Sequence, residues 1–302
     1  MGPGWDALVR EAASTYAIPS ELPSGPFKLF NGIDIGYAAA VIETPAPLPS
    51  SLLHGVEAAI SEALGIANVR HRSALHSLNI PDDVDLAATV YETIAANWLA
   101  GDADANKDRS RQNWRWTLQP QIGAENRSPE VVLERAIASA CAAAGRTDWA
   151  NQIPVASGLV LGASDGRRAI DLGQRRGERH YELIELKIAS DTPLFVAVEL
   201  LGYASLWLLA RKDPPATRPA LLAAERVDLR VLAPAAFYAS FDLRGLERRV
   251  GEGLTVLGNR EGLSLTFAYD VLPAALSAAA LPVRDDLLHE VEQRTALHSD
   301  QR

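Results

Sequence analysis

The stretch Tyr181–Ile188, together with the apolar segment that follows it, constrains the fold of this chain more than any other part of the sequence. Alternation along a strand places Glu185 and Lys187 on one face and the apolar residues between them on the other. Burying a carboxylate beside an ammonium costs free energy, so such a pair is expected where it has a function. Only four of the 29 basic residues are lysines. The pattern therefore indicates a buried strand with functional residues on one face. A lysine on that face supplies a compact, deprotonatable ammonium, which an arginine does not.

The flanking residues predict the elements on either side of this strand. Arg168–Leu172 reads as the preceding strand, and the glycine- and arginine-rich run 173–179 reads as a hairpin connection. Such a hairpin returns Asp171 to a position beside Glu185.

A long apolar helix is predicted after the strand. Asp191-Thr192-Pro193 combines a capping side chain with a proline in the first turn, which is typical of a helix start. The helix then runs over Leu194–Ala210 and carries few polar residues. Glu199 and Tyr203 are four positions apart and share one helix face.

This ordered set of residues resembles the PD-(D/E)xK nuclease superfamily over residues 128–240. The superfamily core consists of a helix with an acidic residue, a three-stranded antiparallel meander, a helix and a further strand. The first helix corresponds to 129–144, with Glu134 as its acidic residue. The sequence departs from the pattern at Ile170, where the motif has proline.

The resemblance implies an α/β (α+β) fold with a restriction-endonuclease-like core, in which helices flank a mixed central sheet. We expect a mainly helical N-terminal region of unknown role over 1–125, which includes helices near 51–65 and 83–100. The nuclease-like domain is expected over 126–285, with a last helix near 243–253 and a last strand at Leu263–Leu272. A charged C-terminal tail is expected over 286–302.

The resemblance also implies a set of site residues with distinct roles. Asp171, Glu185 and Lys187 would be catalytic, and the two carboxylates would bind Mg²⁺ or Mn²⁺, which prefer oxygen ligands. The carbonyl of Leu186 is a further candidate ligand, and Glu134 would hold the metal through water or a second ion. Lys187 would orient the attacking water or stabilise the charged transition state. The supporting residues would be Glu199 and Tyr203.

Other residues allow two interpretations each. The arginines near the hairpin would contact phosphates around the acidic site, or they would form a solvated hairpin tip; they are Arg167, Arg168, Arg175, Arg176 and Arg179. Trp114 and Trp116 would stack on nucleotide bases, or they would pack the N-terminal region on the core. Packing is the favoured interpretation for the two tryptophans.

Composition limits the functional classes that the chain can belong to. The net charge of −9 argues against tight binding of DNA by the whole surface. The single cysteine, Cys141, excludes a disulfide framework and indicates a reducing, cytoplasmic compartment. We expect no signal peptide and no membrane association. Phosphate-binding and dinucleotide-binding glycine motifs are absent.

Two functional hypotheses remain at this point. The first is a metal-dependent nuclease acting in repair, restriction or defence, with DNA favoured over RNA as substrate. The second is a non-catalytic interaction protein built on a nuclease-like fold. A homodimer or a partner protein fits either hypothesis.

Overall fold

The computed structural model describes residues 51–76, 78–100, 113–121, 128–155, 168–274, 276 and 284–298. These residues form a mixed α/β fold in which helices cover a six-stranded mixed sheet. The predictions for Arg167, for residues 1–50 and for the last four residues of the C-terminal tail lie outside the described residues.

The helices of the described residues are α1 (Val56–Ala63), α2 (Arg72–Leu75), α3 (Leu86–Ala100), α4 (Pro129–Ala143), α5 (Pro193–Lys212), α6 (Ala235–Tyr238), α7 (Arg244–Arg260) and α8 (Arg284–Glu292), with a 3₁₀ turn at Ala220–Ala223. The strands are β1 (Trp149–Pro154), β2 (Ala169–Arg175), β3 (His180–Leu186), β4 (Arg226–Pro234), β5 (Ser264–Leu272) and β6 (Thr295–Ala296).

The strands lie in the sheet in the order in which they occur along the chain. β1, β2 and β3 form an antiparallel meander. β4 is parallel to β3, and β5 is parallel to β4, so these neighbours need helical crossovers. α5 supplies the first crossover and α7 the second, and β6 closes the far edge antiparallel to β5.

The two faces of the sheet pack against different helices. Tyr181 and Leu183 of β3 belong to a large apolar core that also contains α5, α3 and α1. Ile184 and Leu186 belong to a second core with α4 and α8. The predicted alternation along this strand is therefore confirmed: the face that carries Glu185 looks toward α5, and the other face looks toward α4.

Helix α5 forms the centre of the larger core. The Thr192 hydroxyl caps it by accepting a hydrogen bond from the Phe195 N–H at 3.1 Å, and Pro193 occupies its first position. Among the helices of the described residues, only α5 is long and apolar enough to cross a membrane. Nearly all of α5 is buried inside the fold, and the buried core helix of a globular protein has the same length and composition.

The structure corrects several predicted boundaries. β2 extends to Arg175, so the hairpin connection is short and the residues 173–175 are part of the strand. α7 continues to Arg260, about two turns beyond the predicted end of the last helix. The glycines of α7 did not end it, because its apolar residues keep helical spacing and pack on β5.

The N-terminal helices and the C-terminal segment both pack into the apolar cores that cover the sheet. α1 and α3 pack on α5 in the larger apolar core, so residues 51–100 and the sheet bury one common surface. The segment from Arg284 packs on the fold, because Leu287, Leu288 and Val291 of α8 are buried against α4 and β6 pairs with β5.

Both tryptophans of the 114–116 segment pack against the protein. Trp114 is fully buried, and its backbone N–H donates to the Pro154 carbonyl at 2.8 Å. The Trp116 ring meets the Tyr181 ring edge-on, with 5.0 Å between the ring centroids. The packing interpretation is confirmed for both residues.

Candidate active site

The site lies where β2 and β3 separate. The last paired residues of the two strands are Leu172 and Ile184. Asp171 and Glu185 are their neighbours on the unpaired side. The Asp171 Oδ2 atom accepts a hydrogen bond from the backbone N–H of Leu186 at 2.9 Å. A side-chain carboxylate thus takes a position that a backbone carbonyl occupies in a continuous ladder.

Lys187 lies one residue beyond β3 and joins several carboxylates. Its Nζ atom is 3.1 Å from Glu185 Oε1, 3.3 Å from Glu199 Oε2 and 3.7 Å from Asp191 Oδ2. Its backbone N–H donates to the Leu232 carbonyl at 3.0 Å, which continues the parallel pairing with β4. The Lys187 side chain is therefore fixed by the strand at its base and by carboxylates at its tip.

Helix α5 supplies the polar face opposite the strands. The Tyr203 hydroxyl donates to Glu199 Oε1 at 3.2 Å, as their shared helix face predicts. Arg168 Nη1 lies 3.3 Å from the same oxygen. The second oxygen of Glu199 contacts Lys187, so this carboxylate links α5 to both strands.

Burial dominates the electrostatics of the two central carboxyls. Burial raises the pKa of Asp171 to about 6, although Lys187 and the Leu186 N–H act in the opposite direction. Burial, followed by the adjacent Asp171 charge, raises the pKa of Glu185 well above its ordinary value. The Glu185 Oε2 atom is buried without a hydrogen-bond partner. The pair is therefore electrostatically unfavourable in its doubly ionised form unless further positive charge is present.

Lys187 stays protonated in this environment. Burial by itself lowers the pKa of an ammonium group, but the charges of Glu185, Glu199 and Asp171 outweigh it and raise the pKa of Lys187 above its ordinary value. Lys187 is therefore a fixed positive charge and not a general base.

Glu134 is buried on α4 and contacts β1. Its Oε1 atom accepts from Asn151 Nδ2 at 2.5 Å and its Oε2 atom from Gln152 Nε2 at 3.0 Å. Adjacent strand residues normally face opposite sides, but Gln152 has a φ of +48°, which breaks the alternation of β1. Burial raises the pKa of Glu134 to about 7, and the Asp171 charge adds to the increase.

Glu130 has a role that the sequence did not reveal. It lies in the first turn of α4, and its Oε1 atom accepts from the Ile188 N–H at 3.2 Å and from Ser190 Oγ at 3.0 Å. Burial raises the pKa of Glu130, but hydrogen bonds from Ser128 and from these groups outweigh it and lower the pKa to about 2. Glu130 thus holds the loop between Lys187 and α5 in place.

The contacts of two more residues near Lys187 were not predicted from the sequence. Asp191 has a φ of +65° and contacts Lys187, and Arg70 reaches Asp191 Oδ1 at 3.4 Å. Arg70 also lies 3.7 Å from the centroid of the Phe195 ring. No pattern in the sequence relates residue 70 to residue 191, because the contact depends on how the N-terminal helices pack on α5.

Only one of the described hairpin-region arginines reaches the site. Arg168 contacts Glu199, whereas Arg175 lies four residues, or about 13 Å, along β2 from Asp171. Arg176 pairs with Glu182 and Arg179 with Glu225, near the opposite end of β3. This placement favours the solvated-tip interpretation for Arg175, Arg176 and Arg179, because β2 is longer than predicted.

The acidic groups do not form a ready-made metal cage. Within the described ranges, no group of three or more His, Cys, Asp or Glu side chains is arranged to hold a metal ion. Asp171 and Glu185 are the pair that fits a cation, because they are adjacent, destabilised by mutual repulsion and include the unpartnered Glu185 Oε2. Mg²⁺ commonly binds through one or two carboxylates and keeps several waters.

Comparison with family models, with curated proteins and with solved structures finds no match for this chain.

Proposed function

We propose that this protein is a metal-dependent nuclease whose active site consists of Asp171, Glu185 and Lys187. The observation that carries the proposal is the convergence of two pKa-shifted carboxyls and one ammonium where β2 and β3 part. Paired titratable groups with perturbed pKa values are typical of catalytic sites.

The order of elements supports this proposal. α4, the β1–β2–β3 meander, α5 and β4 follow one another in the order of the PD-(D/E)xK core, and the site residues fall at the expected places on them. We therefore propose a restriction-endonuclease-like arrangement for this part of the chain. Fold alone does not establish activity, so the proposal depends on the chemistry of the site.

The proposed chemistry is hydrolysis of a phosphodiester bond. A divalent cation held by Asp171 and Glu185 would activate a water and offset charge on the leaving oxygen. Lys187, being permanently charged, stabilises negative charge on the phosphoryl oxygens as it develops. Glu199 holds the Lys187 ammonium from α5, Tyr203 donates a hydrogen bond to Glu199, and Arg168 adds a second cation on the same carboxylate.

A non-catalytic role on the same fold is the second candidate. It is favoured by the internal pairing of the site, because Lys187 is already within 4 Å of three carboxylates. The net charge of −9 also opposes binding of a polyanion. In this case Asp171 and Glu185 would be part of a structural ion-paired cluster, and the helices would bind a partner subunit.

A cleavage assay separates the two candidates. The purified full chain is incubated with Mg²⁺ or Mn²⁺ and with single- and double-stranded DNA and RNA, and EDTA serves as the metal-free reference. We expect cleavage that EDTA and Glu185→Gln both abolish. Cleavage that persists in an Asp171→Asn, Glu185→Gln double variant would come from a contaminant or another site and would refute the assignment.

A further inference from the structure

A second polar cavity of about 540 Å³ lies on the sheet face that looks toward α4 and α8. Glu182, Asp228 and Arg230 line it from β3 and β4, and Asp270 and Arg294 line it from β5 and the segment after α8. Strand alternation places these strand residues on the face opposite Glu185. The cavity is therefore separate from the proposed nuclease site.

The Asp228 carboxylate in this cavity is saturated with hydrogen bonds. Arg226 donates to both of its oxygens, at 3.0 and 3.3 Å. Thr266 Oγ1 donates to Oδ1, and His180 Nε2 lies 2.8 Å from Oδ2. A carboxylate offers about four lone-pair sites, so Asp228 has no accepting capacity left.

Arg294 pairs with two further buried carboxylates of the cavity, Glu182 and Asp270. Its Nη2 atom donates to Glu182 Oε2 at 2.5 Å, and its Nε atom lies 3.4 Å from Asp270 Oδ2. The Arg294 side chain is only 6% exposed, so these are enclosed, strong pairs.

Arg230 is left as a surplus cation. Its Nη2 atom is 3.6 Å from Asp228 Oδ2, and its Nε atom is 3.9 Å from Glu182 Oε1, distances beyond those of hydrogen bonds. No group in the described part of the chain accepts a hydrogen bond from this guanidinium, although its side chain is only 14% exposed. The guanidinium donors of Arg230 therefore face the cavity, where an oxyanion can accept hydrogen bonds from them.

We propose that this cavity binds a small molecule through a phosphate or carboxylate group held by Arg230. The planar guanidinium fork matches both oxyanions bidentately. Glu182 and Asp228 are already hydrogen-bonded to Arg294 and Arg226, and the volume of the cavity suits a small ligand. The proposal does not depend on the nuclease assignment, because the residues of the two sites are different and face opposite sides of the sheet.

The test is calorimetric titration of the full chain in EDTA, with inorganic phosphate, a nucleoside 5′-monophosphate and succinate as separate probes at constant ionic strength. We expect saturable binding of one probe per chain for at least one of them, which also identifies the class of oxyanion. Arg230→Gln should weaken binding at least tenfold, and Arg230→Lys should weaken it as well, because an ammonium lacks the fork. Arg248→Gln, on the exposed face of α7, and Glu185→Gln should bind like the wild type.

Thermal unfolding without ligand gives an independent readout. If Arg230 is a surplus cation, Arg230→Gln should melt at the wild-type temperature or above it. A melting temperature lowered by several degrees would show that Arg230 is a structural partner of Glu182 and Asp228, and would overturn the proposal. Absence of saturable binding of all three probes, or binding that Arg230→Gln leaves unchanged, would overturn it equally.

Discussion

The Asp171 carboxylate is hydrogen-bonded to the backbone N–H of Leu186 at 2.9 Å, across the gap where β2 leaves β3. This contact fixes Asp171 beside Glu185 by means of the strand itself. A continuous ladder would have used the Leu186 N–H for a backbone carbonyl. The divergence of the two strands thus creates the position of the Asp171 carboxylate beside Glu185.

Replacing Lys187 by alanine should abolish cleavage while metal binding survives. The substitution removes the fixed positive charge and keeps both Asp171 and Glu185. Turnover should fall by about 10²- to 10³-fold, as expected when a single transition-state contact is lost. The check is single-turnover cleavage together with Mn²⁺ titration. Lys212→Ala is the matched control, because Lys212 is a half-exposed lysine paired with Glu261 at the other end of α5.

Tyr203→Phe should reduce turnover far less than the Lys187 substitution does. The substitution deletes the hydroxyl that donates to Glu199 Oε1. Arg168 still contacts that oxygen, and Glu199 Oε2 still reaches Lys187. We expect a loss of about tenfold or less, with an unchanged metal affinity. A loss equal to that of Lys187→Ala would mean that Tyr203 contacts the substrate itself.

The buried carboxyl of Glu134 should make stability depend on pH. Its pKa is raised to about 7 in the folded state, mainly by burial, so the folded chain binds a proton that the unfolded chain releases above pH 4.5. Stability from this group is therefore complete below pH 4.5 and is lost as the pH rises through 7. The loss is on the order of 3 kcal/mol.

Glu134→Gln should flatten this dependence in urea unfolding measured from pH 4.5 to 8. Glu130→Gln is the matched control on the same helix and should leave the dependence over this pH range unchanged, because the folded-state pKa of Glu130 is lowered to about 2. The stability that Glu130 contributes is present above pH 4.5 and is lost as the pH falls through 2. Equal slopes for wild type and Glu134→Gln would contradict the assigned shift.

Gly173→Ala should destabilise the fold. A Cβ atom at this position would lie 2.6 Å from Ile153 Cδ1 and 2.8 Å from the Trp116 ring, so the packing of β1 and of the 114–116 segment must shift. We expect a loss of about 1–3 kcal/mol in the free energy of unfolding. Gly251→Ala, inside α7 with open space around it, should instead add about 0.5–1 kcal/mol. Urea denaturation of both variants provides the comparison.

The strands and helices around the site were predictable because their signals are local. Alternation in Tyr181–Leu186 identified β3 and its two faces, and the Thr192-Pro193 pair identified the start of α5. The spacing of Glu199 and Tyr203 correctly placed both on one face. These features depend on neighbours within a few positions, which a single sequence displays directly.

The remaining features depend on contacts that a single sequence does not encode locally. The two amide partners of Glu134 were not predicted, because the second one reaches it only through the left-handed conformation of Gln152. Arg294 was expected in a tail, yet it is buried because β6 pairs with β5. The hairpin arginines were misplaced because three more residues join β2 and lengthen the strand.

Anomalous diffraction from a crystal soaked in millimolar Mn²⁺ tests the central claim most directly, namely that Asp171 and Glu185 form a divalent-metal site. We predict a peak about 2.1 Å from one oxygen of each carboxylate, with Glu185 Oε2 as a ligand and waters filling the other positions. The peak should be absent in Glu185→Gln crystals treated in the same way. A wild-type crystal with no peak beside these two carboxylates at millimolar Mn²⁺ would contradict the account.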